Sequence, residues 1–108
     1  MTLNEYQKAA MRTANPECKN LANVGLGVAG EAGEVADFIK KHLHHGHDLD
    51  KERLAKELGD VAWYIALCCE VIGYDLDTVL HMNIEKLKDR YPEGFDYEHS
   101  SNRRADDI

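Results

Sequence analysis

The sequence EAGEVADFI, residues 31–39, is followed by ELGDVAWYI, residues 57–65, with five of the nine positions identical. Both copies place two acidic residues three positions apart inside an apolar run: Glu31 with Glu34, and Glu57 with Asp60. Side chains at this spacing lie on neighbouring turns of one helical face. The repeat therefore predicts two amphipathic helices, each with a pair of carboxylates at the edge of its buried stripe.

The apolar residues around this repeat follow the helical period, and no run alternates with the period of a strand. The pattern predicts helices over residues 3–14, from 21 to about 43, from the cap at Asp48 or Asp50 to about 72, and from 76 to about 90. Asp75 is expected to cap the fourth helix, and Gly46 and Gly73 to follow the ends of the second and third. We expect an all-α antiparallel four-helix bundle, one domain over residues 1–108, with a polar tail from about residue 96.

Composition and charge exclude several functions. A chain of 108 residues with a formal charge of −7 lacks the basic face that a nucleic-acid polymer needs. It contains no apolar run long enough for a membrane helix, and its N-terminus lacks the apolar core of a signal peptide. The three cysteines are an odd number and predict reduced thiols, which favours a cytoplasmic protein.

The position of the four acids is unusual for an amphipathic helix. Burying an isolated carboxylate costs several kcal/mol or neutralises the group, so converging acids require compensation. A divalent cation would compensate them, and an all-oxygen ligand set favours Mg²⁺, with Mn²⁺ also suitable. The alternative is that the acids are solvated or paired with nearby cations, namely Lys40, Lys41, Arg53 and Lys56.

Small residues on the opposite side of these helices indicate a second packed face. Gly33 and Gly59 project there, and each weakens its helix relative to alanine. Trp63 also points away from the main apolar stripe, where exposure to water would be unfavourable. This arrangement predicts a homo-oligomer, either a homodimer or a homotetramer.

The fourth predicted helix combines apolar and cationic residues on one side. Asn83 falls in the middle of its apolar face, and Lys86 and Arg90 border that face. An amide and two cations facing inward suit a metal-bound polyphosphate. Internal salt bridges between these cations and the acids are an equal alternative at this point.

The two acidic pairs, followed by the group of Asn83, Lys86 and Arg90, resemble the sequence pattern of the MazG-like nucleotide pyrophosphohydrolases of the all-α NTP pyrophosphatase superfamily. The resemblance extends over most of the chain. It rests on EYQKAAMRTA at residues 5–14, GLGVAGEAGEVADFIKK at 25–41, KELGDVAWYIA at 56–66 and NIEKLKDRYPEGF at 83–95.

The resemblance implies Mg²⁺-dependent hydrolysis of a ribo- or deoxyribonucleoside triphosphate to the monophosphate and pyrophosphate. It also implies dimers or dimers of dimers. Its implied site residues are metal ligands at Glu31, Glu34, Glu57 and Asp60, and substrate contacts at Tyr64, Asn83, Lys86 and Arg90. Glu31 or Glu34 is the expected catalytic carboxylate that orients or deprotonates the attacking water. Gln7 and Thr13 are possible base contacts.

Other functions could use parts of the same pattern. A phosphoribosyl-ATP pyrophosphohydrolase is a related enzyme, and a non-catalytic metal- or nucleotide-binding regulatory oligomer would use the same acids. A di-iron bundle requires Glu-x-x-His pairs, and the third position here is Glu34 or Asp60. The histidines of residues 42–47 have no nearby cysteine to complete a zinc site, and imidazoles are favourable at a helix C-terminus in any case.

Overall fold

The computed structural model describes residues 1–103, and that part of the chain is helical and contains no strand. The helices are α1 (Leu3–Met11), α2 (Leu21–His44), α3 (Lys51–Ile72), α4 (Leu76–Arg90) and α5 (Tyr97–Ser101), with a 3₁₀ turn at Pro16–Cys18. The predicted all-α class is therefore confirmed.

Most helix boundaries follow from local capping chemistry. The Asp50 carboxylate accepts a hydrogen bond from the Arg53 N–H at 3.1 Å, which starts α3. Gly46 and Gly73 have φ values of 73° and 80°, in the left-handed region that glycine adopts without strain. The prediction was too long for α1 and did not include the 3₁₀ turn or α5. Residues 104–108 of the predicted tail lie outside the described residues.

The start of α4 is capped by side chains from α1. Asp75 occupies the N-cap position as predicted, but its side chain makes no capping bond. Instead, the buried Gln7 accepts a hydrogen bond from the Leu76 N–H at 2.7 Å through Oε1, and Asn4 Oδ1 accepts from the Asp77 N–H at 3.2 Å. Gln7 therefore has a structural role, which differs from the base contact considered for it.

The buried face of α3 is rotated from the predicted one. Its buried residues are Ala66, Leu67 and Cys69. The apolar period of the sequence predicts a buried stripe of Leu54, Leu58, Val61, Ile65, Cys68 and Ile72. Of these, Leu58, Ile65 and Ile72 are 53%, 39% and 52% exposed, and the other three are half-buried. α3 carries apolar residues on both sides, so periodicity alone did not identify the side that packs within the chain.

Trp63 explains the rotation of α3. Its indole Nε1–H donates to the Thr13 hydroxyl at 2.9 Å and to the Ala10 carbonyl at 3.3 Å, so the ring packs on α1. The predicted second face of α3 thus has a partner within the chain. Thr13, considered for base recognition, is occupied by this bond.

The helices pack in two groups around α3. α2 packs mainly on α3, whereas α1 contacts both α3 and α4. Cys18, Cys68 and Cys69 are free thiols. Among the described residues, no helix has the length and hydropathy required to cross a membrane. The closed antiparallel bundle remains a prediction.

Replacement of Gln7 by alanine tests the capping network. Gln7 also donates to the Tyr74 carbonyl at 3.1 Å and to Glu70 Oε2 at 3.3 Å, so it joins α1 to the α3–α4 junction. We expect Gln7→Ala to lower the free energy of unfolding by about 1–3 kcal/mol, because the Leu76 N–H loses its acceptor in a buried position. Urea denaturation measures this change.

The matched control is Lys8→Ala, the exposed neighbour on the same helix, which should change stability by less than about 0.5 kcal/mol. Equal effects of the two substitutions would contradict the capping role.

Candidate metal centre

Three of the predicted acids converge where α2 packs on α3. Glu31 lies on α2, and Glu57 and Asp60 lie one turn apart on α3. One carboxylate oxygen from each lies within 4.8 Å of those of the other two. The helix–helix contact therefore brings together residues from both copies of the repeat.

Glu34 lies outside this group. Its side chain is exposed on α2, one turn beyond Glu31. It nevertheless contributes to the field at Glu31, where its effect is the smallest of the three neighbouring carboxylates. The structure thus separates the fourth predicted ligand from the other three.

The electrostatics of Glu31 reflect this crowding. Partial burial raises the pKa of the Glu31 carboxyl above its ordinary value, and the charges of Asp60, Glu57 and Glu34 raise it further. Within residues 1–103, all the charges that shift this pKa are carboxylates, and none is a cation. The described part of the chain therefore leaves the repulsion at Glu31 uncompensated.

The four cations that the sequence analysis considers as partners of these acids contact other residues. Lys40 and Lys41 bind Asp37 at 3.6 and 2.9 Å, and Lys56 lies 3.7 Å from Glu52. The Arg53 guanidinium lies over the Phe38 ring at 5.4 Å. The contacts of these four side chains are thus with other residues, while Asp60 and Glu34 are exposed, as the solvated alternative expects.

The donor set fits a hard divalent cation. Three carboxylates from two helices supply oxygen atoms only, which suits Mg²⁺ or Mn²⁺ better than zinc or copper. No histidine or cysteine of the described residues belongs to the group. The histidine segment has a local explanation, because the His42 ring hydrogen-bonds to the His47 carbonyl at 2.9 Å.

Tyr64 lies beside this centre. It is four residues after Asp60, and its ring lies directly on the backbone of α2 at Gly27, four residues before Glu31. The ring also contacts Trp63 edge to face, with centroids 5.0 Å apart and planes at 82°. The structure therefore holds this predicted substrate contact one helical turn from the acids.

Tyr6 is a neighbour of the centre that sequence reasoning missed. Burial raises the pKa of the Tyr6 phenol, and the charge of Asp60 raises it further, so α1 reaches the acidic region. The residue belongs to the EYQKAAMRTA segment of the resemblance. The position of Tyr6 depends on packing between helices that are far apart in sequence. In the sequence, the family resemblance of this segment is the feature that could have identified the residue.

The predicted phosphate contacts are located on the second half of α4. Asn83 is exposed, while Lys86 and Arg90 are half-buried, and both cations are engaged in interactions. Lys88 pairs with Glu85 at 3.6 Å on the exposed side of the helix.

Substitution of Glu31 tests the uncompensated repulsion. At neutral pH and without metal, Glu31→Gln should raise the melting temperature, because it removes one charge from the crowded group. The matched control Glu34→Gln, on the same helix, should raise it less, since Glu34 lies outside the group.

The pH dependence of this effect has a defined sign. The folded-state pKa of Glu31 exceeds its ordinary value of 4.5, so folded wild-type protein is penalised as pH rises from 4.5 through the raised pKa. The advantage of Glu31→Gln should therefore grow over that window and vanish at lower pH. Equal melting temperatures of the two variants at neutral pH would contradict the account.

Comparison with known proteins agrees with this geometry. The family model of the MazG nucleotide pyrophosphohydrolase domain matches residues 20–95, which include both acidic pairs and all of α4. The Gene 37 protein of Mycobacterium phage L5 is 35% identical over 105 residues, covering 87% of this chain and 92% of its own length. No solved structure gives a significant match. With its paired acids and all-α fold, the chain belongs to the MazG nucleotide pyrophosphohydrolase family, within the all-α NTP pyrophosphatase superfamily.

Proposed function

We propose that this protein hydrolyses a nucleoside triphosphate to the nucleoside monophosphate and pyrophosphate, with Mg²⁺ as cofactor. The observation that supports this most is the convergence of Glu31, Glu57 and Asp60 without a compensating cation among the described residues, in a chain of the MazG family. Family membership supports pyrophosphohydrolase chemistry in general, and the donor set supports the choice of metal.

The three converging carboxylates are the residues that would hold the cation. Glu31 supplies one from α2, and Glu57 and Asp60 supply two from α3. When bound, Mg²⁺ would neutralise phosphate charge and make a nearby water more acidic. The three carboxylates would in this way hold the metal-bound phosphates close to α2 and α3, and the repulsion at Glu31 would favour cation binding.

Glu34 is the proposed general base. It is exposed one turn from Glu31, and its carboxylate is outside the converging group, so its oxygens are available to accept a proton from the attacking water. A positioned general base contributes about 10²–10⁴-fold to the rate. In this assignment Glu31 binds metal and Glu34 performs proton transfer.

The cationic part of α4 would bind the leaving group. Lys86 and Arg90 donate to phosphate oxygens and stabilise the charge that develops on pyrophosphate as the bond breaks. Asn83 and Tyr64 supply neutral donors for phosphate or sugar. Binding of pyrophosphate by these residues requires α4 to face a group of the three converging acids.

The activity test is a panel of ribo- and deoxyribonucleoside triphosphates, and phosphoribosyl-ATP, incubated with Mg²⁺. Chromatography resolves monophosphate plus pyrophosphate from diphosphate plus phosphate. We expect monophosphate and pyrophosphate from at least one nucleoside triphosphate. Turnover of phosphoribosyl-ATP alone would favour the related enzyme of histidine synthesis, and no turnover would favour a regulatory binding protein.

Two variants separate the roles of the acids. Glu34→Gln should lower kcat by at least about 100-fold and keep the Mg²⁺-induced rise in melting temperature, because it removes a base and not a ligand. Asp60→Asn should lose both turnover and the Mg²⁺ effect. Loss of the Mg²⁺ effect in Glu34→Gln would contradict its assignment as the base.

A second copy of the chain is the proposed partner of the exposed apolar stripe on α3. The chain exposes 8067 Å², about a third more than the roughly 6,100 Å² expected for a compact protein of this mass. Its radius of gyration is 16.8 Å, against roughly 13 Å for a compact chain of this length. Leu58, Ile65 and Ile72 form the stripe, and an apolar groove of about 340 Å³ opens beside Ile65, between α1, α3 and α4.

Such an association would complete a closed helical bundle. It would also allow α4 of one copy, which carries Asn83, Lys86 and Arg90, to approach the acids of another. The proposed assembly is therefore a homodimer or homotetramer whose centres lie near subunit interfaces.

Light scattering after gel filtration tests the assembly. We expect a mass of at least twice the 12.2 kDa of one chain. Ile72→Glu, which places a charge on the stripe but far from the acids in sequence, should reduce the assembly, while Lys51→Glu in the exposed first turn of α3 should not. A monomeric wild-type protein would contradict the proposal.

A further inference from the structure

A side chain of α3 lies directly against the backbone of α2 at Gly27, beside the acids. A Cβ atom built on Gly27 would lie 2.6 Å from Cζ of Tyr64, and closer still to two other ring carbons. In real proteins, a Cβ atom essentially never lies less than 3.0 Å from a heavy atom outside its own residue and the two residues next to it in the chain. The Tyr64 ring therefore occupies the space that any side chain at position 27 would need.

This contact distinguishes Gly27 from the other glycines of these two helices. A Cβ at Gly25, Gly30, Gly33 or Gly59 would meet nothing within 4 Å. Glycine weakens a helix relative to alanine, and at those positions the described chain shows no steric reason for it. At Gly27 the reason is the aromatic ring on the facing helix.

The contact is also adjacent to the carboxylates on both helices. Gly27 precedes Glu31 by four residues on α2, and Tyr64 follows Asp60 by four residues on α3. Residues spaced by four lie one turn apart on the same helical face. The ring and the acids therefore occupy successive turns of one helix–helix interface.

The Tyr64 ring contacts Trp63 as well as α2. Trp63 contacts it edge to face at 5.0 Å, and the Trp63 indole is in turn held by the Thr13 hydroxyl at 2.9 Å on α1. A side chain at position 27 would need ordinary contact distances of 3.4–4 Å from the ring. Because the ring is also packed against Trp63, we expect α2 to withdraw from α3 by about 1 Å, a displacement sufficient to loosen a set of ligands.

We propose that Gly27 is a positioning residue of the metal centre: its missing side chain admits the Tyr64 ring and so sets the separation of α2 and α3 at which Glu31 meets Glu57 and Asp60. The inference rests on the proposed function in one respect, that these carboxylates bind a divalent cation. Its consequence is that metal affinity depends on a residue that offers no ligand atom.

The test measures Mn²⁺ binding to metal-free protein, from the loss of the free-ion signal in electron paramagnetic resonance. Gly27→Ala should weaken Mn²⁺ binding by about 10–100-fold, the range for groups that orient ligands. The matched control Gly30→Ala, on the same helix in open space, should leave the affinity within about 2-fold and raise helix stability.

Removal of the ring provides the rescue. In a Tyr64→Ala background, Gly27→Ala should leave Mn²⁺ affinity unchanged, because nothing remains for the new methyl group to displace. This pair of variants also tests the steric explanation if Gly27→Ala alone fails to fold. Weaker binding caused by Gly27→Ala in the Tyr64→Ala background would overturn that explanation.

The outcomes distinguish this inference from the proposed function. If wild-type protein binds Mn²⁺ and Gly27→Ala binds it equally well, the positioning role is wrong and the metal centre stands. If wild-type protein binds no Mn²⁺, the metal centre itself is wrong, and the inference is overturned with it.

Discussion

The packing of α2 on α3 is the constraint on which the rest of the site depends. It brings Glu31 from one copy of the repeat within 4.8 Å of Glu57 and Asp60 from the other, so the group of acids needs both copies. Like charges at this distance repel, and nearby lysines and Arg53 have other partners. The packing of the two helices therefore holds the carboxylates together against their repulsion, and a bound cation would relieve it.

The same interface accounts for the placement of the aromatic residues. Tyr64 lies on the backbone of α2 at Gly27, and Trp63 connects α3 to α1 through its hydrogen bonds. These contacts occupy the side of α3 that carries the acids, which leaves Leu58, Ile65 and Ile72 on the solvent side of the single chain. An apolar stripe of this kind on a small acidic protein is typical of a protein–protein interface.

The sequence predicts those features that depend on neighbours in the chain. Helix limits followed from Asp50, Gly46 and Gly73, because a capping side chain or a left-handed residue acts locally. The pairing of the acids followed from the repeat. The buried side of α3 was predicted wrongly, since both of its sides are apolar and only tertiary packing on Trp63 selects one.

Other features could not be predicted from the sequence, because they join residues that are distant along the chain. Gln7 caps a helix that starts 69 positions later, and no pattern in α1 indicates this bond. Tyr6 approaches Asp60 only through the packing of α1.

The most direct test of the central claim is the anomalous scattering of Mn²⁺ in a crystal of the protein. The account predicts a peak bounded by the carboxylates of Glu31, Glu57 and Asp60, and a peak at residues 42–47 instead would contradict it.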